Sequence, residues 1–260
     1  MKIDLHIHSY HSRDSVSKIE KIAKTIKEKG LDGFALTDHD TGAGWKEGEI
    51  IAKKYGLFFI RGEEIKTKKN GRVIGDIIGI FLKKEIKSRE PKAVIKEIKE
   101  QGGIAIIPHP FHILTPFKGQ LEKESERLIT PFTGDLEEYK KIIDAIETFN
   151  ARVITRLADE KAYIFAKQNK IAMVGGSDAH YWKDAGDGYT FAPYAKNLED
   201  FKKAILEKRT RGEGKKTPLR SMTIPAIARI KTRIEKEGKI TPKIINSLKN
   251  GVKNIKKEIK

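Results

Sequence analysis

A pair of histidines with the spacing of a metal site stands near the start of this 260-residue sequence. His6 and His8 are two positions apart in residues 2–8, which are predicted to form a strand. Side chains alternate along a strand, so both imidazoles lie on one face and can share a cation. Imidazole is a common ligand of divalent metals. Taken alone, however, a His-x-His pair is more often two packed histidines than a metal site.

Three further clusters of histidine and aspartate come directly after predicted strands. TDHD (37–40) follows GFAL, Pro108-His109-Pro110 follows IAII, and GSDAH (176–180) follows IAMVG. The carboxyl ends of the strands in an α/β barrel form one rim, and functional sites are built there. Buried imidazoles and carboxylates are costly without partners, and a bound cation is a usual partner. Four such strand ends therefore predict a metal centre rather than packing.

A carboxylate that bridges two cations would complete this centre. Glu64 is placed for that role, because it follows the predicted strand LFFI in the sequence RGEEI (61–65). Glu63 is its close competitor, since alternation along a strand turns only one of the two side chains inward.

The elements that must position these clusters alternate along the chain. Apolar runs predict strands at 2–8, 33–37, 57–61, 73–81, 104–108, 145–149 and 171–175. Amphipathic patterns predict helices at 16–29, 45–55, 91–101, 136–143 and 156–169. The first three helices stop at glycines typical of a helix end: Gly30, Gly56 and Gly102. Such alternation predicts an α/β fold with a mostly parallel sheet.

Two regions depart from that alternation. Residues 110–135 are predicted to be a long loop or lid beside His109. Residues 209–225 are predicted to be a linker, and 227–237 and 242–259 to be basic helices with an apolar stripe. From residue 208 to 260 the chain has 17 Lys and Arg against 4 Asp and Glu, so most of the net charge of +17 lies there. We therefore expect one domain at 1–207 and a basic linker with a helical C-terminal extension at 208–260.

Composition excludes several kinds of protein. There is no cysteine, so disulfides and thiolate ligands are excluded, and any transition metal must bind to nitrogen and oxygen. No apolar run has the length that spans a bilayer, and the first residues lack the pattern of a secretory signal. We therefore expect a cytoplasmic protein that does not bind membranes.

The ordered set HIHS, TDHD, GEEI, Pro108-His109-Pro110 and GSDAH resembles the PHP (polymerase and histidinol phosphatase) family, over roughly residues 1–205. The resemblance implies an α/β fold, a distorted seven-stranded (β/α) TIM-like barrel. It also implies a centre of two or three divalent cations, usually manganese, zinc or iron. Phosphorylated molecules are the substrates that it implies.

The resemblance further implies which residues bind the cations. The ligand sets at the matching positions are His6, His8, Glu64 and Asp178 for the first cation, Glu64 and His109 for the second, and Asp14, His39 and His180 for the third. Asp76 departs from the family pattern, because many relatives have a histidine there that binds the second cation. An aspartate still binds Mn²⁺ or Fe²⁺, and oxygen ligands shift the preference away from soft metals.

Several other residues are candidates for supporting roles. Asp38 and Asp40 are expected to orient His39 through its other ring nitrogen. Glu147, near the end of a predicted strand, is expected to support a ligand in the same way. Arg152 offers the fork geometry that holds a phosphate, although a solvated surface arginine is an equal interpretation.

Two histidines match no family position. His112, in the predicted lid, is a candidate for contacting the substrate. An ordinary polar loop residue is nevertheless the favoured interpretation of both His11 and His112.

Hydrolysis of a phosphate ester by metal-bound hydroxide is the activity that the resemblance implies. A protein nucleophile is not indicated, because the sequence has neither cysteine nor a G-x-S-x-G motif. Asp178 or His180 is expected to manage protons near the leaving group. Some nucleotide-cleaving members of the family insert a long segment before the strand that ends at His109. The stretch between Asp76 and His109 is short here, so the resemblance implies the compact type, with a small phosphomonoester or a nucleotide as the substrate.

Three alternatives stay open. The basic extension would attract a phosphate backbone, which suggests a nuclease that acts on short oligonucleotides, but it fits equally a solvated helix pair docked on the barrel. Histidinol phosphate is another family substrate, although the additional histidine motifs of that subfamily are not recognisable in this sequence. A barrel that binds nucleic acid without catalysis has the least support, because such relatives lose metal ligands and this chain keeps nearly all of them.

Overall fold

The computed structural model describes residues 1–111, 136–153, 155–218 and 221. Its strands are β1 Lys2–Asp4, β2 Gly33–Leu36, β3 Phe58–Lys69, β4 Arg72–Ile80, β5 Ile104–Ile107, β6 Ala145–Asn150, β7 Ala172–Gly176, β8 Gly188–Phe191 and β9 Arg211–Gly214. Its helices are α1 Ile19–Glu28, α2 Trp45–Tyr55, α3 Pro91–Glu100, α4 Leu136–Tyr139, α5 Arg156–Gln168 and α6 Leu198–Leu206, with a 3-10 turn at Trp182–Asp184.

The strands form one mixed sheet in the order β7-β6-β5-β4-β3-β2-β1-β8-β9. β1, β2 and β3 pair in parallel, as do β5, β6 and β7, whereas β4 runs antiparallel to both of its neighbours. Just beyond β1 and β7, the amide of Asp178 donates to the carbonyl of His6 at 2.8 Å, and the amide of His8 donates to the carbonyl of Ala179 at 3.0 Å. These bonds join β1 to β7, so the first seven strands form a nearly closed barrel.

All seven predicted strands are present, which confirms the α/β barrel, but the sheet of the described residues has nine strands rather than seven. β8 pairs antiparallel with β1 and with β9. Their sequences, GYTF and RGEG, are short and glycine-containing and have no run of apolar residues, so the apolar pattern did not predict them. β9 also falls in residues 209–225, where a linker was expected.

Two parts of the sequence-based prediction cannot be compared with the fold. Both basic helices of the expected C-terminal extension lie outside the described residues. Of the predicted lid, residues 112–135 lie outside them as well.

Helix α6, which the sequence did not predict, closes the end of the barrel opposite the predicted site. Its Phe201 and Ile205 are fully buried in one cluster with Ile3 and Ile104. Ile3 lies in β1 and Ile104 begins β5, so α6 covers the amino ends of the strands. Each of these large apolar side chains contributes roughly 1.5–3 kcal/mol on burial.

Within the described ranges, no helix has both the length and the apolar character that a membrane span requires.

The helix ends confirm the predicted glycine caps and reveal two that use lysine instead. Gly30, Gly56 and Gly102 follow their helices with φ of 69°, 64° and 73°. Lys170 after α5 and Lys208 after α6 adopt the same left-handed conformation, with φ of 52° and 60°. A side chain makes that conformation costly, by roughly 1–2 kcal/mol.

Replacing Lys170 by glycine is therefore expected to raise the free energy of unfolding by about 1 kcal/mol. Urea unfolding followed by circular dichroism would measure the change. Lys161→Gly, in the middle of the same helix, is the matched control and is expected to lower the free energy of unfolding by about 1 kcal/mol. An equal decrease in the free energy of unfolding in the two variants would contradict the proposed backbone strain at Lys170.

Candidate metal centre

The carboxyl-end rim of the barrel gathers the predicted metal ligands. They come from the residues just beyond β1, β2, β5 and β7, from the loop after β1, and from β3 where Glu64 forms a parallel bridge with His39. The set is His6, His8, Asp14, His39, Glu64, His109, Asp178 and His180. All of them are buried except His39, whose side chain is 12% exposed. The expected convergence of strand ends is thus what the fold produces.

The donor atoms of these residues form three overlapping groups, each with its atoms within 4.8 Å of one another. The groups are His6, Glu64 and His109; His6, His8 and Asp178; and His8, Asp14, His39 and His180. They resemble the three ligand sets that the family implies, with three differences: His8 also joins the third set, His6 also joins the second, and Glu64 is absent from the group of His6, His8 and Asp178. The role of each residue as a ligand stays a prediction.

Glu64 lies at the centre of the cluster. Its Oε2 is 3.3 Å from Nε2 of His6, 3.2 Å from Nε2 of His8 and 3.2 Å from Nδ1 of His39. Its Oε1 is 3.4 Å from Nε2 of His109. One carboxylate therefore contacts four imidazoles.

Glu63, the competitor of Glu64, points elsewhere. It is fully buried, and its Oε2 accepts a hydrogen bond from the amide of Ile86 at 2.9 Å. Burial raises the pKa of Glu63 to about 7. Alternation along β3 thus turns Glu64, not Glu63, towards the histidines.

The donor set fits a divalent cation. Nε2 of His6, Nε2 of His8 and Nδ1 of His39 are buried and have no hydrogen-bond partner among the described residues. They lie 3.2–3.6 Å from carboxylate oxygens of Glu64 and Asp178. Two ligand atoms bound to one cation at about 2.1 Å are roughly 3.0–3.4 Å apart in octahedral or tetrahedral geometry. The spacing is that of ligands around a common ion.

The charges of the site are strongly coupled in the absence of a cation. Burial alone would lower the pKa of His8, but Asp178 and Glu64 raise it to about 10. Burial would raise the pKa of Asp178, but His6 and His8 hold it far below its usual range. A proton on His8 thus balances carboxylate charge that a bound cation would otherwise balance.

The chelated protein is therefore expected to lose stability as the pH rises from about 6.5 towards 10. The folded state keeps the proton of His8 over this range, while the unfolded state, with a usual pKa of 6.5, has released it. The affinity for Mn²⁺ is expected to rise over the same range, because the cation displaces these protons. Thermal unfolding in a chelator and Mn²⁺ titration at several pH values would test both. An affinity that does not change with pH would contradict the exchange of protons for metal.

Glu147 lies where the sequence placed it, beside a predicted ligand. Its Oε1 is 3.2 Å from Nδ1 of His6, and its Oε2 accepts a hydrogen bond from the amide of His109 at 2.9 Å. If Nδ1 carries the hydrogen of this contact, Nε2 of His6 is left to bind a cation.

Asp38 and Asp40 do not lie where the sequence placed them. Asp38 accepts hydrogen bonds from the amide and hydroxyl of Ser9 at 2.6 and 2.7 Å. Asp40 accepts one from the amide of Lys66 at 3.1 Å. The ring of His39 instead lies between Asp14 and Glu64, 3.2 Å from each. Alternation turns the neighbours of His39 away from its ring. The prediction that Asp38 and Asp40 orient His39 is therefore wrong.

Asp76 is near the cluster but outside its three groups. It is buried, and burial together with the charge of Glu64 raises its pKa to about 6. The structure thus places Asp76 close to Glu64, and its role as a ligand stays a prediction.

Arg152 stands against His180. Its Nη1 is 2.5 Å from Nδ1 of that histidine, which is also 2.9 Å from the carbonyl oxygen of Asp178. Burial and the positive charge of Arg152 lower the pKa of His180 to about 4, so the ring is neutral. The guanidinium of Arg152 thus lies beside the predicted metal ligands, and its phosphate-binding role stays a prediction.

The two remaining histidines are outside the cluster or outside the described residues. His11 lies 3.5 Å from Glu47 and against the ring of Tyr10, away from the predicted ligands. His112, a candidate for substrate contact, lies outside the described residues.

Sequence reasoning missed two polar residues that support the site. The hydroxyl of Ser12 donates to Oδ1 of Asp14 at 2.8 Å, and Asn150 donates to Oε2 of Glu147 at 2.8 Å. Ser12 stands two positions before Asp14, a spacing common in polar turns. The alternation of a regular strand gives no indication that Asn150 contacts Glu147.

The chain is similar to known proteins in both sequence and fold. A family model described as PHP domain matches residues 4–207. An uncharacterized protein of Methanocaldococcus jannaschii is 41% identical over 122 residues, which cover 43% of this chain and 68% of that protein. A 5'-3' exoribonuclease of Haemophilus influenzae is 43% identical over 79 residues, which cover 30% of this chain and 28% of the exoribonuclease.

The fold also resembles a solved structure from Bacteroides vulgatus, a two-domain protein containing a predicted PHP-like metal-dependent phosphoesterase. The TM-score is 0.65 at 21% identity, over 83% of this chain and 65% of that one. At that level of identity the likeness supports the fold alone. This chain spans slightly less than two thirds of that structure.

Proposed function

This chain belongs to the PHP domain family, and on that premise we propose that it is a metal-dependent hydrolase of phosphate esters. The observation that carries the proposal is the position of Glu64, whose carboxylate contacts four imidazoles at 3.2–3.4 Å. Such a set of nitrogen and oxygen donors suits manganese, zinc or iron. When bound, two or three divalent cations supply a nucleophile at neutral pH and neutralise charge on the phosphoryl group.

The residues of the chain have separate roles in this proposal. His6, His8, Asp14, His39, Glu64, His109, Asp178 and His180 are the proposed metal ligands. Arg152 is proposed to hold a phosphate oxygen through its forked N–H groups. Asp178 and His180 are proposed to manage protons near the leaving group, because they lie beside Arg152 at the same rim.

A small phosphomonoester or a nucleotide is the substrate class that we favour. β4 and β5 are joined through residues 81–103, which hold little beyond α3. No domain is inserted in this described stretch, which separates Asp76 from His109 in the chain. A short connection of this kind favours a compact substrate.

A nuclease is the second candidate, and one specific observation favours it. The similarity to the Haemophilus influenzae exoribonuclease is 43% identity, although it covers only 28% of that protein. The basic segment 208–260 would add attraction for a phosphate backbone, in a salt-dependent manner.

Assay of the purified full-length chain with Mn²⁺, Zn²⁺ or Fe²⁺ would test both candidates. Substrates would be nucleoside monophosphates, histidinol phosphate, a chromogenic phosphate ester and a short 5'-phosphorylated RNA. Faster hydrolysis of the small esters supports a phosphatase, whereas stepwise RNA shortening that weakens with salt supports a nuclease. Stoichiometric metal without hydrolysis of any phosphate ester would overturn the proposal, and a chain that binds no divalent metal would favour a non-catalytic barrel.

A further inference from the structure

Asn150 joins two parts of the candidate site through its side chain. It is the last residue of β6 and is 1% exposed. Two residues after it, Arg152 contacts His180. Three residues before it, Glu147 contacts His6. The side chain of Asn150 therefore lies between the arginine and the proposed metal ligands.

A bulge in β6 places Asn150 there. The register between β6 and β7 shifts between Glu147 and Phe149, so Thr148 is an extra residue in β6. In a regular strand, side chains three positions apart face opposite sides, and Glu147 and Asn150 would not meet. The extra residue changes that phase. As a result, Nδ2 of Asn150 donates to Oε2 of Glu147 at 2.8 Å.

Both ends of the Asn150 amide are in use. At the nitrogen end, Nδ2 also lies 3.5 Å from Oδ2 of Asp178. At the oxygen end, Oδ1 accepts hydrogen bonds from the amides of Arg152 and Val153 at 2.9 and 3.1 Å. A carboxamide offers donors on one side and an acceptor on the other, which a carboxylate of the same size cannot do. The carboxamide of Asn150 therefore satisfies both sets of contacts at once.

We propose that Asn150 is a positioning residue, which fixes Glu147 and Asp178 relative to the turn that carries Arg152. This inference rests on the proposed function, because it assumes that His6 and Asp178 bind a cation. Glu147 contacts Nδ1 of His6 at 3.2 Å, and Asp178 lies 3.6 Å from Nε2 of the same ring. Through these two carboxylates, Asn150 sets the orientation of His6.

Asn150→Ser is the informative variant. A serine hydroxyl still accepts a hydrogen bond from an amide two residues on, so the turn at Arg152 is kept. It is too short to reach Glu147, so the contact with the carboxylates is lost. We expect the Mn²⁺ dissociation constant of the full-length protein to rise about 10- to 100-fold, the usual effect of removing a group that supports a metal ligand. Titration calorimetry would measure it, beside thermal unfolding in a chelator.

Asn169→Ala is the matched control, since Asn169 ends α5 and donates to the carbonyl of Phe165, away from the rim. Its Mn²⁺ affinity is expected to equal that of the wild type. In a Glu147→Gln background, Asn150→Ser is expected to weaken Mn²⁺ binding by less than it does in the wild type, because only the contact with Asp178 remains to be lost.

The outcomes separate this inference from the proposed function. A wild-type protein that binds no Mn²⁺, Zn²⁺ or Fe²⁺ would overturn the proposed function. A wild-type protein that binds Mn²⁺, with Asn150→Ser and Asn150→Ala both within twofold of its affinity, would overturn only the role of Asn150, whatever their thermal stability. If Asn150→Ser weakened Mn²⁺ binding as much in the Glu147→Gln background as in the wild type, action through Glu147 would likewise be refuted.

Discussion

Asp178→Asn is expected to lower kcat/KM for phosphate ester hydrolysis by at least about 10³-fold, or about 4 kcal/mol of transition-state stabilisation. Oδ1 of Asp178 lies 3.6 Å from Nε2 of His6, 3.5 Å from Nε2 of His8 and 3.4 Å from Nδ1 of His180. Asparagine keeps the size of the side chain but removes its charge. Both the attraction for a cation and the charge that orders three imidazoles would be lost.

The fold of Asp178→Asn is expected to survive, for a backbone reason. Asp178 has φ of 53°, in the left-handed region. Asparagine tolerates this region better than most residues, whereas alanine at this position would add strain. Circular dichroism and thermal unfolding would confirm that the variant is folded.

Asp184→Asn is the matched control, because Asp184 is also buried but bonds to Ser221 rather than to the histidines. Its activity is expected to stay within a few-fold of the wild type. Full activity in Asp178→Asn, in a preparation free of contaminating phosphatase, would contradict the assigned site.

Glu64→Gln is expected to remove most of the bound metal, whereas Glu63→Gln is expected to retain it. The two glutamates are adjacent and both are buried, but only Glu64 contacts the imidazoles. Neutralising a carboxylate shared by several ligand groups weakens every cation that it binds, so a loss of affinity of at least about 100-fold is expected, more than the loss of a supporting group causes. Metal content per chain after dialysis would be measured by mass spectrometry.

The adjacent pair provides its own control. Burial raises the pKa of Glu63 to about 7, so a neutral side chain at this position costs little, and glutamine can still accept the hydrogen bond from Ile86. Equal metal content in the two variants would show that the carboxylate of Glu64 is not the bridge. A loss in Glu63→Gln alone would reverse the assignment made from β3.

The rim of the site could be predicted from the sequence because its ligands follow apolar strands directly. His39, His109 and Asp178 each come within three residues of a strand, so their convergence needs only a barrel. To choose between Glu63 and Glu64 one must know which side chains of β3 face the histidines, and the sequence left this open. The partners of Asp38 and Asp40 could not be predicted either, because they come from Ser9 and Lys66, on other parts of the chain.

Features that depend on irregular backbone were also beyond the sequence. The bulge at Thr148 reverses the alternation that would have turned Asn150 away from Glu147, and no residue type announces it. β9 was expected to be linker, since its glycines and charges outweigh any apolar pattern. It becomes a strand because β8 supplies a hydrogen-bonding edge.

The seam of the barrel is the pair of backbone hydrogen bonds that join β1 to β7, and it bears on how the barrel opens. Its backbone bonds join His6 to Asp178 and His8 to Ala179, so the seam is built from the main chain of residues whose side chains face the rim. A cation held by His6, His8 and Asp178 would cross-link the two strands at that seam. Opening the seam and releasing the ion then become one event, and metal removal would speed amide hydrogen exchange there first. The cation proposed for catalysis would therefore also stabilise the closed form of the barrel.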